Sequence, residues 1–309
     1  MKTEFTELLG IKYPIVQGAM AWVADGELAA AVSEAGGAGT IAAAGRDADW
    51  VKKQINIAKE NTDKPFGVNV MLMADNCDQI VDTLCRENVD YATLSAGNPI
   101  TYFEKLHKAD ITAIPVVPNL RLAHKVVDKG ADAIIIEGME AGGHIGNLTT
   151  MALMTQVITE IDVPVIAAGG FVDGRGLAAA LVMGAAGIQM GTRFYASKEC
   201  NAHIKAKQKI VDSQDIDTIV TGLVHGHPVR GIRNKMTEKY LKLEKEGASE
   251  TELEELVVGS SRTAPQNGDI EWGFVQAGQS LSAIKEIKSC DQIIQQIIKE
   301  AKTALDYNV

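Results

Sequence analysis

Cysteine is sparse in these 309 residues: Cys77, Cys85, Cys200 and Cys290 stand far apart with no CxxC pair. That spacing excludes a disulfide framework and a thiolate zinc cage. No apolar stretch approaches the ~20 residues that a membrane span requires. The first residues, MKTEFTELLGIKYP, are charged and lack the apolar core of a secretory signal, so a cytoplasmic protein with no membrane partner is expected. Cations are in deficit, with 30 Lys and Arg against 40 Asp and Glu and a net charge of −10. A nucleic-acid partner, which calls for a basic face, is therefore not expected. Two motifs are missing as well. There is no GxSxG nucleophile elbow, and the first apolar run ends QGAMAW rather than in the GxGxxG of a dinucleotide fold. His203, His225 and His227 lie without the carboxylate spacing of a metal cage, and no metal site is expected. His107 and His124 fall in helical segments and read as surface residues.

What is present is a globular composition, 46% hydrophobic and 23% charged, and a repeating pattern. A helix-like segment, a Gly or Asp break and a short apolar run recur about every 20–25 residues. The runs are PIVQGAM, GAGTIAAAG, PFGVNVML, DYATLSAG, DITAIPVV, ADAIIIEG, VPVIAAGG and AAGIQMG, eight by Gly191. Segments such as GELAAAVSEAG and ADWVKKQINIAKE supply helices between them. Strands alternating with helices pair in parallel through right-handed crossovers, and eight such units predict an α/β fold of the (β/α)8 TIM-barrel type. A doubly wound open sheet is the alternative. After Thr192 the rhythm breaks into long polar helical segments, notably MTEKYLKLEKEGASETELEELV. The expected organisation is a barrel over 1–200 and a smaller lid region over 201–309. Its last helix, about 289–305, is expected to pack back on the barrel.

In such a barrel the site forms at the C-terminal ends of the strands. Those ends read Gly18-Ala19-Met20-Ala21, Asn69, Ser95 to Asn98, Glu137 to His144, Ala168-Gly169-Gly170 and Gln189-Met190-Gly191-Thr192. They are rich in glycine and poor in charge. The ends of the seventh and eighth runs are where barrels commonly hold a phosphate. Gly169-Gly170 lead into a helix starting near Asp173, whose first amides are expected to hold that phosphate with Gly191 and Thr192. His144, set in EGMEAGGHIG after the sixth run, is the one histidine placed to move a proton at the mouth.

Together, QGAMAW, FGVNVML, SAGNP, AGGHIG, PVIAAGG, QMGTRF and GFVQAGQS resemble the flavin-dependent family of nitronate monooxygenases and FMN-dependent enoyl-acyl-carrier-protein reductases II. EGMEAGGHIGNLTTM and RFYASKECNAH look most like the reductase branch. The resemblance implies FMN in the mouth, NAD(P)H as cosubstrate and a trans-2-enoyl group on acyl carrier protein as hydride acceptor. It further implies a homodimer, as in many members, and a monovalent-cation requirement, as in some relatives. Met20 and Ala21 would line the flavin, and Asn69 would hydrogen-bond it. Glu137, Gly142 and Gly143 would touch it from the sixth run, with the glycines letting the loop lie against its flat face. Ala168, Gln189 and Met190 would contact it, while Gly169, Gly170, Gly191 and Thr192 would hold its phosphate. His144 would be the catalytic residue, and Gln279 would lie near the flavin or the substrate entrance. Two basic clusters, Lys205/Lys207/Lys209 and Arg230/Arg233/Lys235/Lys239, are candidates for docking the acidic carrier. The alternatives are a nitronate monooxygenase, with His144 as base, and a flavin-free barrel lyase or isomerase of a phosphorylated substrate.

Overall fold

The computed structural model describes residues 1–306. Barrel strands β1 (Ile15–Gln17), β2 (Gly39–Ala42), β3 (Phe66–Met71), β4 (Tyr91–Ser95), β5 (Thr112–Val117) and β6 (Ile134–Glu137) correspond to the first six apolar runs. The next strand, β7 (Gly143–His144), lies outside the barrel; β8 (Val165–Ala168) and β9 (Gly187–Met190) complete it. The eight barrel strands run parallel in the order β1-β9-β8-β6-β5-β4-β3-β2. Between β1 and β2 the ring is joined by a single parallel bridge, in which Gln17 N–H donates to the Ala38 carbonyl and Ala38 N–H to that of Ile15, each at 2.9 Å. The fold is therefore the α/β TIM barrel, not the open sheet.

The strands are short and buried on both faces, which explains why they read as continuous apolar runs rather than alternating ones. Val16, Ile114, Ile135 and Ile166 fill the interior, and Phe5, Leu9 and Ile11 from the N-terminal segment close its lower end. Polar groups share this interior. The buried Tyr91 hydroxyl donates to the Gly39 carbonyl at 2.7 Å and meets Thr40 Oγ1 at 2.8 Å. The fully buried Gln17 side chain donates to the carbonyls of Gly18 and Thr40 and accepts from Thr40 N–H. Side-chain caps begin the outer helices where the sequence offers them: Asp25, Asp47, Asn119 and Asp173 each accept first-turn amides.

Beyond the barrel, β10 (Thr218–Thr221) and β11 (Val229–Ile232) form an antiparallel pair, and β11 also pairs with β7, aligning Val229 with His144. The polar stretch after Asn234 is not one helix. Gly247, left-handed at φ 83°, ends Lys235–Glu246, and a capping box on Ser249 starts Glu250–Val257. The final helix, Cys290–Leu305, lies against Gly174–Val182 and Gly26–Glu34. No described helix is long and apolar enough to cross a membrane.

The basic clusters need correction. Lys207 is buried and donates to the carbonyls of Ser197, at 2.8 Å, and Cys200. Arg230 is buried and donates to the Met139 carbonyl at 3.1 Å and to Thr218 Oγ1 at 3.3 Å. Both cations satisfy internal oxygens, because a buried charge needs partners. They are not docking groups.

Gly39 tests the packing of β2 on its helix. A Cβ there would overlap the Ala29 carbonyl of Gly26–Glu34, a backbone atom with little freedom to give way. Gly39→Ala is expected to destabilise the protein by about 2 kcal/mol or more, read as a lowered denaturation midpoint with an unchanged slope.

Candidate functional site

The strand ends surround a cavity of 590 Å³, within the ~300–1,000 Å³ usual for a small-molecule site. Its wall contains Met20, Ala21, Asn69, Glu137, Gly142, Gly143, His144, Ala168, Gly169, Gly170, Gln189, Met190, Gly191 and Thr192. Gln279 is not on the wall. It is exposed, and its backbone N–H donates to the Glu140 carbonyl at 2.9 Å while its neighbours Gly278 and Ser280 line the cavity. Gln276, three residues earlier, is the glutamine that reaches it. Trp22, Pro118, Phe171 and Tyr195 also contribute to the wall. Of these, Trp22 had a usable signal, since it follows Met20-Ala21 within QGAMAW.

Asn69 is buried in the C-terminal half of β3 and fixed in orientation: its Nδ2 reaches Thr93 Oγ1 at 3.0 Å and Ser95 Oγ at 3.3 Å. Glu137 ends β6 with its side chain on the cavity wall. It has neither a hydrogen-bond partner nor a cation among the described residues, and burial alone pushes its pKa up to about 7. His144 is exposed at the rim. Even so, the protein packed around it and, secondarily, His227 hold its pKa below the ordinary imidazole value. Its backbone is fixed by the β7–β11 ladder and by the adjoining bond from Ile145 N–H to the Pro228 carbonyl, 3.1 Å.

The glycines of EGMEAGGHIG answer mostly to the protein. A Cβ on Gly138 would overlap Thr150, one on Gly142 would stand 2.7 Å from the Ala277 backbone, and one on Gly146 would stand 2.9 Å from Pro118. Gly143 alone is needed for its left-handed φ of 84°. Close chain-to-chain packing, rather than a ligand, demands three of the four.

The anion site also shifts. The first amides of Gly174–Val182 are already used: Gly174 N–H donates to Glu300 Oε2 at 2.9 Å, and those of Arg175 and Gly176 donate to Asp173 Oδ1. One step earlier, Gly169 and Gly170 hold φ of 94° and 84°, and the amides of Gly169, Gly170 and Phe171 find no acceptor among the described residues. Those three N–H groups lie on residues of the cavity wall and, with the Gly191 N–H, which also finds no acceptor among the described residues, are available as anion donors. Thr192 Oγ1 accepts from Gly278 N–H at 3.0 Å, which leaves its hydrogen to donate. No cluster of His, Cys, Asp or Glu among the described residues could hold a metal ion.

Glu137 makes a pH prediction. Its folded pKa, about 7, lies above the ordinary 4.5, so its stabilising protonation is complete below 4.5 and lost as pH rises through 7. In the ligand-free protein, Glu137→Gln should flatten that loss. At pH 8 it should be the more stable form, by at most about 3 kcal/mol and by less where water enters the mouth. Parallel pH series of chemical denaturation would measure it, and identical slopes for the two proteins would contradict the assignment.

The nitronate monooxygenase family model matches residues 2–95 and 71–300. A (3aS,4S,5R,7aS)-5-hydroxy-7a-methyl-1-oxo-octahydro-1H-indene-4-carboxyl-CoA dehydrogenase of Rhodococcus jostii is 37% identical over 306 residues, covering 99% of this chain and 84% of the relative. Among solved structures, FabK from Thermotoga maritima superposes with a TM-score of 0.96 at 45% identity, covering 99% of this chain and 98% of the other. Nitroalkane oxidase from Streptomyces ansochromogenes reaches 0.85 at 27% identity, over 98% and 99% of the two chains. The dehydrogenase and the nitroalkane oxidase are oxidoreductases by name, and the chain belongs to the nitronate monooxygenase family.

Proposed function

We propose that the protein is an FMN-dependent, NAD(P)H-consuming reductase of trans-2-enoyl thioesters carried on acyl carrier protein. The observation that carries this reading is the match to FabK, an enoyl-acyl-carrier-protein reductase II, at 45% identity and a TM-score of 0.96 along the whole barrel and the segment that follows it. The cavity suits such a cofactor. It combines a mostly apolar wall, a small set of fixed polar groups and three unpaired amides beside a threonine hydroxyl for a phosphate. When bound, FMN would supply a two-electron centre that takes hydride from NAD(P)H and passes it to the β-carbon of the enoyl group.

The chain's own residues then have distinct tasks. The amides of Gly169, Gly170 and Phe171 would hold the phosphate with Thr192. Asn69, fixed by Thr93 and Ser95, would present its amide to the ring system. Glu137, easily protonated near neutrality, would offer an O–H rather than a second negative charge in a closed site. His144 would deliver the proton to the α-carbon, or hold the thioester carbonyl while that proton arrives. Its lowered pKa makes the neutral ring the resting form at pH 7. For the carrier, the exposed Arg233, Lys235 and Lys239 of the second cluster remain after the buried Arg230 is set aside, although Lys235 pairs with Glu271 at 3.0 Å and Lys239 stands over the Trp272 ring.

The decisive experiment is anaerobic. NAD(P)H should bleach the flavin absorbance, and a trans-2-enoyl thioester should restore it. Reversing the charge of Arg233 should slow recovery on the carrier-borne substrate and not on a coenzyme A ester. Bleaching by an alkyl nitronate alone would move the protein to the monooxygenase chemistry of its family, and a colourless protein that takes up no FMN would favour a flavin-free lyase or isomerase. His144→Ala should retain flavin yet lose about 10²-fold in kcat, together with any gain in rate as pH falls below 6.5. Unchanged kcat would remove His144 from the chemistry.

A further inference from the structure

At the rim of the cavity, two arginines gather on one indole. The Arg46 guanidinium carbon lies 4.2 Å from the Trp22 ring centroid and 4.3 Å from that of Trp50, and the Arg262 carbon lies 5.1 Å from the Trp22 centroid. Trp22, Gly45 and Ser261 line the cavity, so each arginine adjoins a residue of its wall or stacks on one.

The arrangement costs stability. Trp22 holds a left-handed φ of 68°, unfavourable for a bulky side chain. Gly45, at φ 74°, is the residue that admits the indole, because a Cβ there would stand 2.6 Å from its ring. Arg46 is half-buried and forms no ion pair, and none of its guanidinium N–H groups meets an acceptor among the described residues; its Nε is wholly buried and unpaired. Burial, and then the like charge of Arg262, lower its pKa. The carboxylates nearest in charge are engaged elsewhere: Asp25 accepts from Leu28 N–H and Asn201, and Asp47 from Trp50 N–H. A structural arginine would have its donors paired. Stacking holds a guanidinium flat and leaves its edge for a bidentate oxyanion.

We propose that Arg46 and Arg262, carried on Trp22, form an anion subsite that takes a phosphate ester of an incoming cosubstrate. The source is either the nucleotide or the phosphopantetheine-type arm of a thioester. The identity of those cosubstrates rests on the reductase reading, whereas the subsite rests on the unpaired Arg46 guanidinium beside the exposed Arg262, whose Nε donates to Gln266 Oε1 at 2.7 Å.

The test reads binding without turnover. Quenching of tryptophan emission in the flavin-loaded protein would be titrated with NADP+ against NAD+, and with coenzyme A against pantetheine, which has no phosphate. Arg46→Gln and Arg262→Gln should each weaken the member that carries the additional phosphate monoester, NADP+ or coenzyme A, by about tenfold or more and its counterpart by far less. Selective loss on NADP+ assigns the nucleotide 2′-phosphate; selective loss on coenzyme A assigns the thioester arm. Equal loss within each pair, or none, would overturn the subsite. Arg262 is exposed, so Arg262→Gln carries the test even where Arg46→Gln fails to fold. Selective loss in a protein that reduces no enoyl thioester would retire the reductase reading and leave the subsite standing.

Discussion

The site depends on one seam, where residues 274–280 cross the mouth of the barrel. Ile232 N–H donates to the Val275 carbonyl, the Ala277 backbone packs on Gly142, and Gly278 N–H reaches Thr192 Oγ1. Gln279 N–H reaches the Glu140 carbonyl, and Ser280 Oγ donates to the Gly170 carbonyl at 2.7 Å. β11, the loop after β6, the turn after β8 and the start of the helix after β9 are thereby fixed to a segment distant in sequence. Each bond is worth only about 1 kcal/mol net, but together they determine which amides remain unpaired at Gly169–Phe171 and how far the His144 strand lies from β6.

This seam explains the uneven legibility of the sequence. The barrel was open to reading because each unit is local: an apolar run, a break and a helix, with Asp25, Asp47 and Asn119 standing where caps belong. The residues at the strand ends followed from the same logic, which is why thirteen of the fourteen expected cofactor contacts, and His144, come together around one cavity. What failed was long-range. Gln279 was expected near the mouth because AGQS belongs to the resemblance, but period and spacing do not say which glutamine of QAGQ turns inward. Gln276 lines the cavity, whereas Gln279 is exposed between the wall residues Gly278 and Ser280. In the same way, no local pattern reveals that Glu300, from the far end of the chain, occupies the first amide of Gly174–Val182.

Glycine shows the ambiguity most clearly. A run of glycines beside a histidine suggests close approach, but it leaves open whether the close neighbour is ligand or protein. At Gly138, Gly142 and Gly146 it is Thr150, Ala277 and Pro118. Only where φ is left-handed and the amide is left unpaired, at Gly169 and Gly170, does glycine point outward to a bound group. The useful signal is therefore a donor with no protein partner, not the glycine itself.

The same criterion ranks the charged groups of the mouth. Lys207 and Arg230 looked like free cations in sequence, yet both are internally satisfied. Arg46, unremarkable in sequence, is desolvated and unsatisfied. Glu137 is its acidic counterpart, half-buried without a partner among the described residues and pushed up to about 7. A fold tolerates such groups where a bound molecule supplies what the protein withholds. Unpaired amides at β8, an unpaired carboxyl at β6 and an unpaired guanidinium at the rim thus mark three stations on the wall and rim of one cavity. Each would read a different chemical feature of what enters it: a phosphate on the cofactor, the polar edge of its ring system, and a phosphate on the cosubstrate that comes and goes.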